Sequence, residues 1–152
     1  MNLNGPTEHE NGRDGYRWRS ARAAGGEQMG GTLYDLPAGE RTFPYHYHHG
    51  IEEWLLVVSG TPTLRTPEGE RELREGDVVV FRAGPEGAHQ VTGPGRVLMV
   101  SNLVWPSVSV YPDSDKLGTR TTSDPEDPDR LNFPRGSAVD YWEGESGSNG
   151  SP

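Results

Sequence analysis

The stretch Gly39-Glu-Arg-Thr-Phe-Pro-Tyr-His-Tyr-His-His-Gly-Ile-Glu-Glu-Trp-Leu-Leu-Val-Val-Ser-Gly60 decides the reading of this chain. It places His46 and His48 two residues apart and follows them with Glu53 and an apolar run. In an extended strand alternate side chains share a face, so the two imidazoles point the same way. A second stretch, Gly76-Asp-Val-Val-Val-Phe-Arg-Ala-Gly-Pro-Glu-Gly-Ala-His89, supplies another histidine. Four of the five histidines of the chain fall in these two stretches.

Around them, short β-like runs alternate with turn residues. Strands are expected at 32–36, 41–48, 52–58, 63–66, 71–73, 77–81, 90–92, 97–102 and 107–111. No helix of ten or more residues is expected. Closely spaced short strands of this kind argue for an all-β sandwich or barrel. In 52–58, Leu55 and Val57 share the face of Glu53, while Trp54, Leu56 and Val58 take the other. Both faces are apolar, so one is expected to line a barrel interior and the other to be covered by a second layer or a second subunit.

Composition sets outer bounds. The 152 residues suit one domain, divided as a flexible arm over 1–27, a barrel over 28–112 and an acidic arm over 113–152. Within the first arm Tyr16 and Trp18 are the bulky anchors, Arg17, Arg19 and Arg22 make a short basic run, and at most one short strand or helix is expected. In the second, 113–130 reads as a long exposed loop. Leu131–Pro134 and Ala138–Trp142 read as apolar patches that dock on a β surface, and Glu143–Pro152 as disordered. The hydrophobic fraction is 31%, with 21 glycines and 13 prolines, which suits a turn-rich chain. There is no cysteine, hence no disulfide framework and no thiolate ligand. The formal net charge of −9 disfavours nucleic acid and anionic membranes as partners. No apolar run approaches the roughly 20 residues that cross a bilayer, and the N-terminus has no secretory pattern, so a cytoplasmic location is expected.

Imidazole nitrogens with a carboxylate oxygen suit divalent Fe, Mn, Ni or Zn among others. His46, His48, Glu53 and His89 are therefore the candidate metal ligands. Three neutral histidines and one carboxylate leave a +2 ion near +1, and a six-coordinate ion would keep two positions open for water, dioxygen or a bidentate substrate. A carboxylate aimed into a barrel without a partner is costly, which a metal would relieve.

The two stretches resemble the paired motifs of the cupin superfamily, and of small single-domain bacterial cupins in particular. The first motif is met as Gly39, six residues, His46-Tyr-His48, four residues, Glu53, six residues, Gly60, a spacing that selects Glu53 over Glu52. The second is met as Gly76-Asp77 followed by Pro85-Glu-Gly87-Ala-His89, with a longer gap than is usual and Gly93 in place of the closing Asn. The resemblance covers about 32–111. It implies a double-stranded β-helix, the jelly-roll barrel of that superfamily, here with N- and C-terminal arms. It also implies one divalent metal, a small-molecule ligand and often a dimer. Relatives include dioxygenases, isomerases and decarboxylases. A dioxygenase-like metal enzyme for a small oxygenated molecule is the leading expectation, with isomerase-like chemistry beside it and a non-catalytic binding or sensing module as the alternative. Tyr34, Tyr45, Tyr47 and Gln90 are candidates for orienting a substrate, and a homodimer is expected from the two-sided strands.

Overall fold

A computed structural model describes residues 1–7, 26–124 and 126–145, and the backbone of 9–13 and 16–22. The side chains of Tyr16, Trp18 and the basic run Arg17, Arg19 and Arg22, and the tail beyond residue 145, lie outside the described residues.

Thirteen strands are described: β1 (His9–Arg13), β2 (Tyr16–Arg22), β3 (Met29–Leu36), β4 (Tyr47–His49), β5 (Glu53–Gly60), β6 (Thr63–Thr66), β7 (Gly69–Glu72), β8 (Val78–Phe81), β9 (Gln90–Thr92), β10 (Gly95–Asn102), β11 (Ser107–Tyr111), β12 (Lys116–Arg120) and β13 (Asn132–Pro134). They form a six-stranded sheet in the order β1-β2-β3-β10-β5-β8, a four-stranded sheet β13-β12-β11-β4 and a three-stranded sheet β7-β6-β9. Every pairing is antiparallel. This is the all-β jelly-roll expected from the motifs. No described helix is long and apolar enough to cross a membrane.

The core lies between the sheets. Leu55 and Val57 from β5, Val97 and Met99 from β10, and Tyr34 and Leu36 from β3 meet Leu64, Leu73, Phe81 and Val91. The alternation in β5 decides its inner face: Leu55 and Val57 are buried while Trp54 is 45% exposed. Trp54 lies opposite Val80, and Leu56 opposite Val78, so the outer face of this sheet carries an apolar patch in which Val78 and Val80 are also exposed. The second layer expected there is not supplied in that region by the described residues.

The strand expected over 41–48 is confined to β4 at 47–49, with bends over 42–45, and two further regions differ from expectation. The N-terminal segment, read as a loose arm with at most one short strand or helix, contributes two strands, and β2 pairs with β3. Residues ahead of them are tied down too: the Arg96 guanidinium binds the Asp35 carboxylate and donates to the carbonyls of Leu3 and Gly5, and Thr7 Oγ donates to Asp35. The second region follows Pro112. The loop expected over 113–130 contains β12, whose residues 116–120 pair with β11. Within Leu131–Pro134, β13 pairs with β12 through the backbone, while the Leu131 and Phe133 side chains stay exposed. Ala138–Trp142 does not dock on the described residues: Val139, Tyr141 and Trp142 are all largely exposed.

Candidate metal centre

Each of the four predicted ligands is positioned by a different piece of backbone. His48 sits in β4, opposite Ser109 of β11. His46 and His89 face each other across a bridge, with each backbone N–H donating to the other's carbonyl. Glu53 opens β5, after a turn held by Asn102, whose side chain accepts from the Glu52 N–H and donates to the Gly50 carbonyl. His89 follows a 3-10 turn over Pro85–Gly87. Gly87 is required there, because a Cβ would come within 1.8 Å of the Arg82 carbonyl oxygen. Gly93, where the motif expects Asn, runs so close to the Leu36 and Pro37 carbonyls that a side chain has no room.

The ring tautomers follow from these neighbours. His46 Nδ1 is 2.9 Å from the Pro44 carbonyl and His89 Nδ1 is 2.9 Å from the Gly87 carbonyl. Carbonyls only accept, so both Nδ1 atoms carry hydrogen when the rings are neutral, and both Nε2 atoms present a lone pair. His48 Nδ1 lies 2.9 Å from Ser109 Oγ, which fixes the third ring. The Phe81 ring stacks on His89 at 3.8 Å between centroids.

The Nε2 atoms and one carboxylate oxygen converge. His46 Nε2 lies 3.0 Å from His48 Nε2, and Glu53 Oε2 is 3.3 Å from the Nε2 atoms of both His48 and His89. His46, His48 and Glu53 present atoms all within 4.8 Å of one another, a group that could hold a metal ion. Burial and the neighbouring His89 and His48 rings push the His46 pKa down to about 3, so its Nε2 stays unprotonated at neutral pH. Burial alone would raise the pKa of Glu53, but the His48 and His89 rings 3.3 Å from its carboxyl outweigh that and push it below its usual range. Glu53 Oε2 and His89 Nε2 are nevertheless buried without a well-formed hydrogen bond. A cation between them would resolve both, so the donor set fits a divalent ion.

His46, His48 and Glu53 line a cavity of about 510 Å³, and His89 is not among its lining residues. Met99, Phe43, Ile51 and Leu103 give it apolar walls, and Tyr34, Ser109, Tyr111 and Asn132 give it polar ones. Of the expected orienting residues, Tyr34 lines the cavity. Tyr45 is buried beneath the Arg65 guanidinium, 4.0 Å from its ring centre, and Gln90 donates to the Phe43 carbonyl. Tyr47 packs edge-on against His49, on the strand face opposite to His48. None of these three is among the cavity-lining residues.

The residues missed in the sequence come from β11 and beyond. Tyr111 stacks on the His46 ring at 5.9 Å between centroids, and Ser109, two residues before it on β11, meets His48 Nδ1. Burial pushes the Tyr111 phenol up, with Ser109, Arg120 and Arg130 opposing, and the net shift is upward. Gly118 makes room for that ring, since a Cβ there would lie 3.3 Å from Tyr111 Cε2 and 2.7 Å from Asn132 Oδ1. Only the alternation Ser107-Val-Ser-Val-Tyr111, with its polar face, hinted at this wall.

Comparison with known proteins places these observations. A family described as "Cupin domain" matches residues 32–101. Among solved structures, the chain is similar to one called a sugar phosphate isomerase from a cupin superfamily, from Silicibacter pomeroyi, with TM-score 0.72 and 24% identity over 82% of this chain and 80% of that one. It is also similar to a protein named as a candidate sugar phosphate isomerase, from Acidithiobacillus ferrooxidans, with TM-score 0.66 and 26% identity over 72% of this chain and 74% of that one. A cupin-like protein from Thermotoga maritima aligns with TM-score 0.53 and 17% identity over 68% and 85% of the two chains. No curated protein matches by sequence.

Proposed function

Residues 32–101 of this chain are a cupin domain, and on that premise we propose that His46, His48, Glu53 and His89 together hold one divalent transition ion, in an enzyme that isomerises a small oxygenated molecule. The observation that carries this reading is that His46, His48 and Glu53 present donor atoms within 4.8 Å of one another and line a cavity large enough for a sugar-sized ligand, with His89 Nε2 3.3 Å from Glu53 Oε2. When bound, such an ion supplies Lewis acidity to a carbonyl or hydroxyl oxygen of the ligand.

The chain's own groups do the rest. Tyr111 keeps its proton at neutral pH, because its phenol is pushed upward, and so presents an O–H to a ligand oxygen. Ser109 meets His48 Nδ1 at 2.9 Å and holds that ring in place. Met99, Ile51 and Phe43 exclude water from one side of the cavity. Isomerisation is preferred to oxygen activation because the 26%-identical relative from Acidithiobacillus ferrooxidans is named for it.

The test is to purify the protein without a histidine tag, measure bound metals by elemental analysis, reload it with Fe, Mn, Ni or Zn, and follow aldose and ketose phosphates by NMR. Aldose–ketose interconversion that disappears in His48→Ala supports the reading. Tight ligand binding without turnover would replace it with a non-catalytic binding cupin. We propose in addition that the protein is a homodimer, a reading supported by the exposed apolar face around Trp54, Val78 and Val80.

A further inference from the structure

The candidate metal centre lies between two hollows. One is the cavity that His46, His48 and Glu53 line. The other is a groove of about 600 Å³ between the β6–β7 hairpin and β8. Exposed Glu70, Arg71 and Arg82 make that groove a wet surface, while the buried Leu64, Phe81 and Ala88 give it an apolar floor. His89 lines neither hollow and is only 2% exposed.

Phe81 touches everything on this side of the centre. It closes β8 and lies opposite Glu53 in the β5–β8 register, so it is the cross-strand neighbour of one candidate ligand. Its ring stacks on another, His89, with the two planes 7° apart. It also lines the groove, next to Ala88, the residue before His89. The phenyl ring thus stands between the wet groove and the buried pair of Glu53 and His89.

Two constraints fix where the His89 lone pair points. The bond from Nδ1 to the Gly87 carbonyl holds one atom of the ring. It does not hold the plane, because the ring can still tilt about that atom. The Phe81 face fixes the tilt, and with both in place Nε2 lies 3.3 Å from Glu53 Oε2. The form of the contact is informative as well. Neutral aromatic pairs prefer offset or edge-on arrangements to a face-to-face stack. A ring that has given its lone pair to a cation is electron-poor, and the negative face of a phenyl ring attracts it. The stack therefore suits His89 as a ligand better than His89 as an unengaged imidazole. A side chain needed only to fill the core would serve as an aliphatic one, as Leu55, Val57, Leu64 and Val91 do around it.

We infer that Phe81 is a positioning residue of this centre: its ring sets the plane of His89 against Glu53 and seals the pair from the groove, so that water and ligand reach the centre from the β11 side alone. The inference rests on reading His89 as a metal ligand, but the seal belongs to the metal-free protein as well, so the two can fail separately.

The test compares the parent with Phe81→Leu, Phe81→Tyr and Leu64→Ala, with Zn²⁺ alone as the probe. Affinity is measured by competition with an indicator dye. Hydrogen–deuterium exchange at the imidazole Cε1–H of His89, read by mass spectrometry, is followed in chelator-treated protein. Phe81→Leu fills much of the same space without a flat face. It should weaken Zn²⁺ binding about ten-fold or more and speed exchange at His89, while the exposed His49 keeps the parent rate. Phe81→Tyr keeps the flat ring and should bind Zn²⁺ as the parent does. Leu64→Ala empties core volume beside the same groove, so it should melt lower than the parent yet keep its Zn²⁺ affinity and its His89 exchange rate. Parent-like affinity in Phe81→Leu would overturn the inference. An equal loss of affinity in Leu64→Ala would overturn it too, because Phe81 would then act through packing alone. A parent that binds no Zn²⁺ would sink the metal reading, and the exchange measurement would still decide the seal: His89 exchanging no faster in Phe81→Leu than in the parent would overturn it.

Discussion

Glu53 Oε2 and His89 Nε2 lie 3.3 Å apart, both buried, and neither makes a well-formed hydrogen bond. A neutral His89 whose Nδ1–H is committed to the Gly87 carbonyl offers Glu53 only a lone pair. Two acceptors facing each other repel, so the pair is stable only with a proton or a cation between them. Glu53→Gln keeps the shape and removes the charge. It is expected to lower metal affinity at least about 100-fold, beyond the 10–100-fold typical of losing a supporting group. The thermal stabilisation by added metal, roughly 2.7 kcal/mol at 100 times Kd, should vanish with it. Elemental analysis and melting curves with and without metal check both.

Ser109 supports His48 from behind. Its Oγ is 2.9 Å from His48 Nδ1, and the residue is buried. Ser109→Ala leaves that nitrogen without its partner and frees the ring to turn. Metal affinity should fall about 10–100-fold while the barrel stays folded. Ser109→Thr, which keeps the hydroxyl, should lose less. Competition with a metal indicator dye measures both.

The ligand cluster was legible in the sequence because it is local. His46 and His48 share a strand face by period alone, and Pro85-Glu-Gly87-Ala-His89 announces a turn whose glycine the Arg82 carbonyl makes obligatory. The barrel strands were legible from their apolar alternation. β12 was not, because Lys116-Leu-Gly-Thr-Arg120 has one large apolar residue and is held chiefly by backbone pairing to β11 and β13. Tyr45, Tyr47 and Gln90 looked equally promising beside the motifs, but Tyr45 sits in a bend beneath the Arg65 guanidinium and Tyr47 takes the strand face opposite to His48.

Asp127 gives the β12–β13 loop a pH dependence of known sign. Burial alone would raise its pKa, but the bonds from Thr121, Asp129 and Thr122 outweigh it and bring the carboxyl down to about 2. A group whose folded pKa is depressed stabilises the fold above its unfolded value, near 3.9, and loses that contribution as pH falls through the folded value. The loop over 121–130 should therefore hold at pH 5 and open between about pH 4 and pH 2. Asp127→Asn should show the open loop at neutral pH and abolish this step. Hydrogen exchange of the Thr121, Thr122 and Asp129 amides reads the change directly.

Gly118 sets the depth of the cavity. Its neighbours would press on any side chain, with Asn132 Oδ1 at 2.7 Å and Tyr111 Cε2 at 3.3 Å from the Cβ position. Gly118→Val should push Tyr111 and Asn132 into the cavity and cut ligand binding ten-fold or more. The four candidate ligands are carried by other strands and turns, so metal content should remain near that of the parent. A variant that lost metal and ligand together would show that the stack of Tyr111 on the His46 ring also holds the ligand cluster in place.

The outer face of β5 and β8 offers the last prediction. Trp54, Val78 and Val80 are exposed at 45%, 56% and 42%, on a strand pair whose register sets Trp54 beside Val80. Apolar side chains grouped in this way mark an association surface more often than a bare one. A two-fold dimer through this face would bring the same patch from each copy together, as an isologous contact requires. Light scattering at micromolar concentration should then give twice the formula mass of 16.7 kDa. Val80→Lys should yield a monomer, because it sets a charge in the middle of the patch without touching the inner residues Leu55 and Val57. The monomer should keep its metal, since all four candidate ligands come from one chain. A parent protein of single formula mass would show that the patch serves something other than self-association.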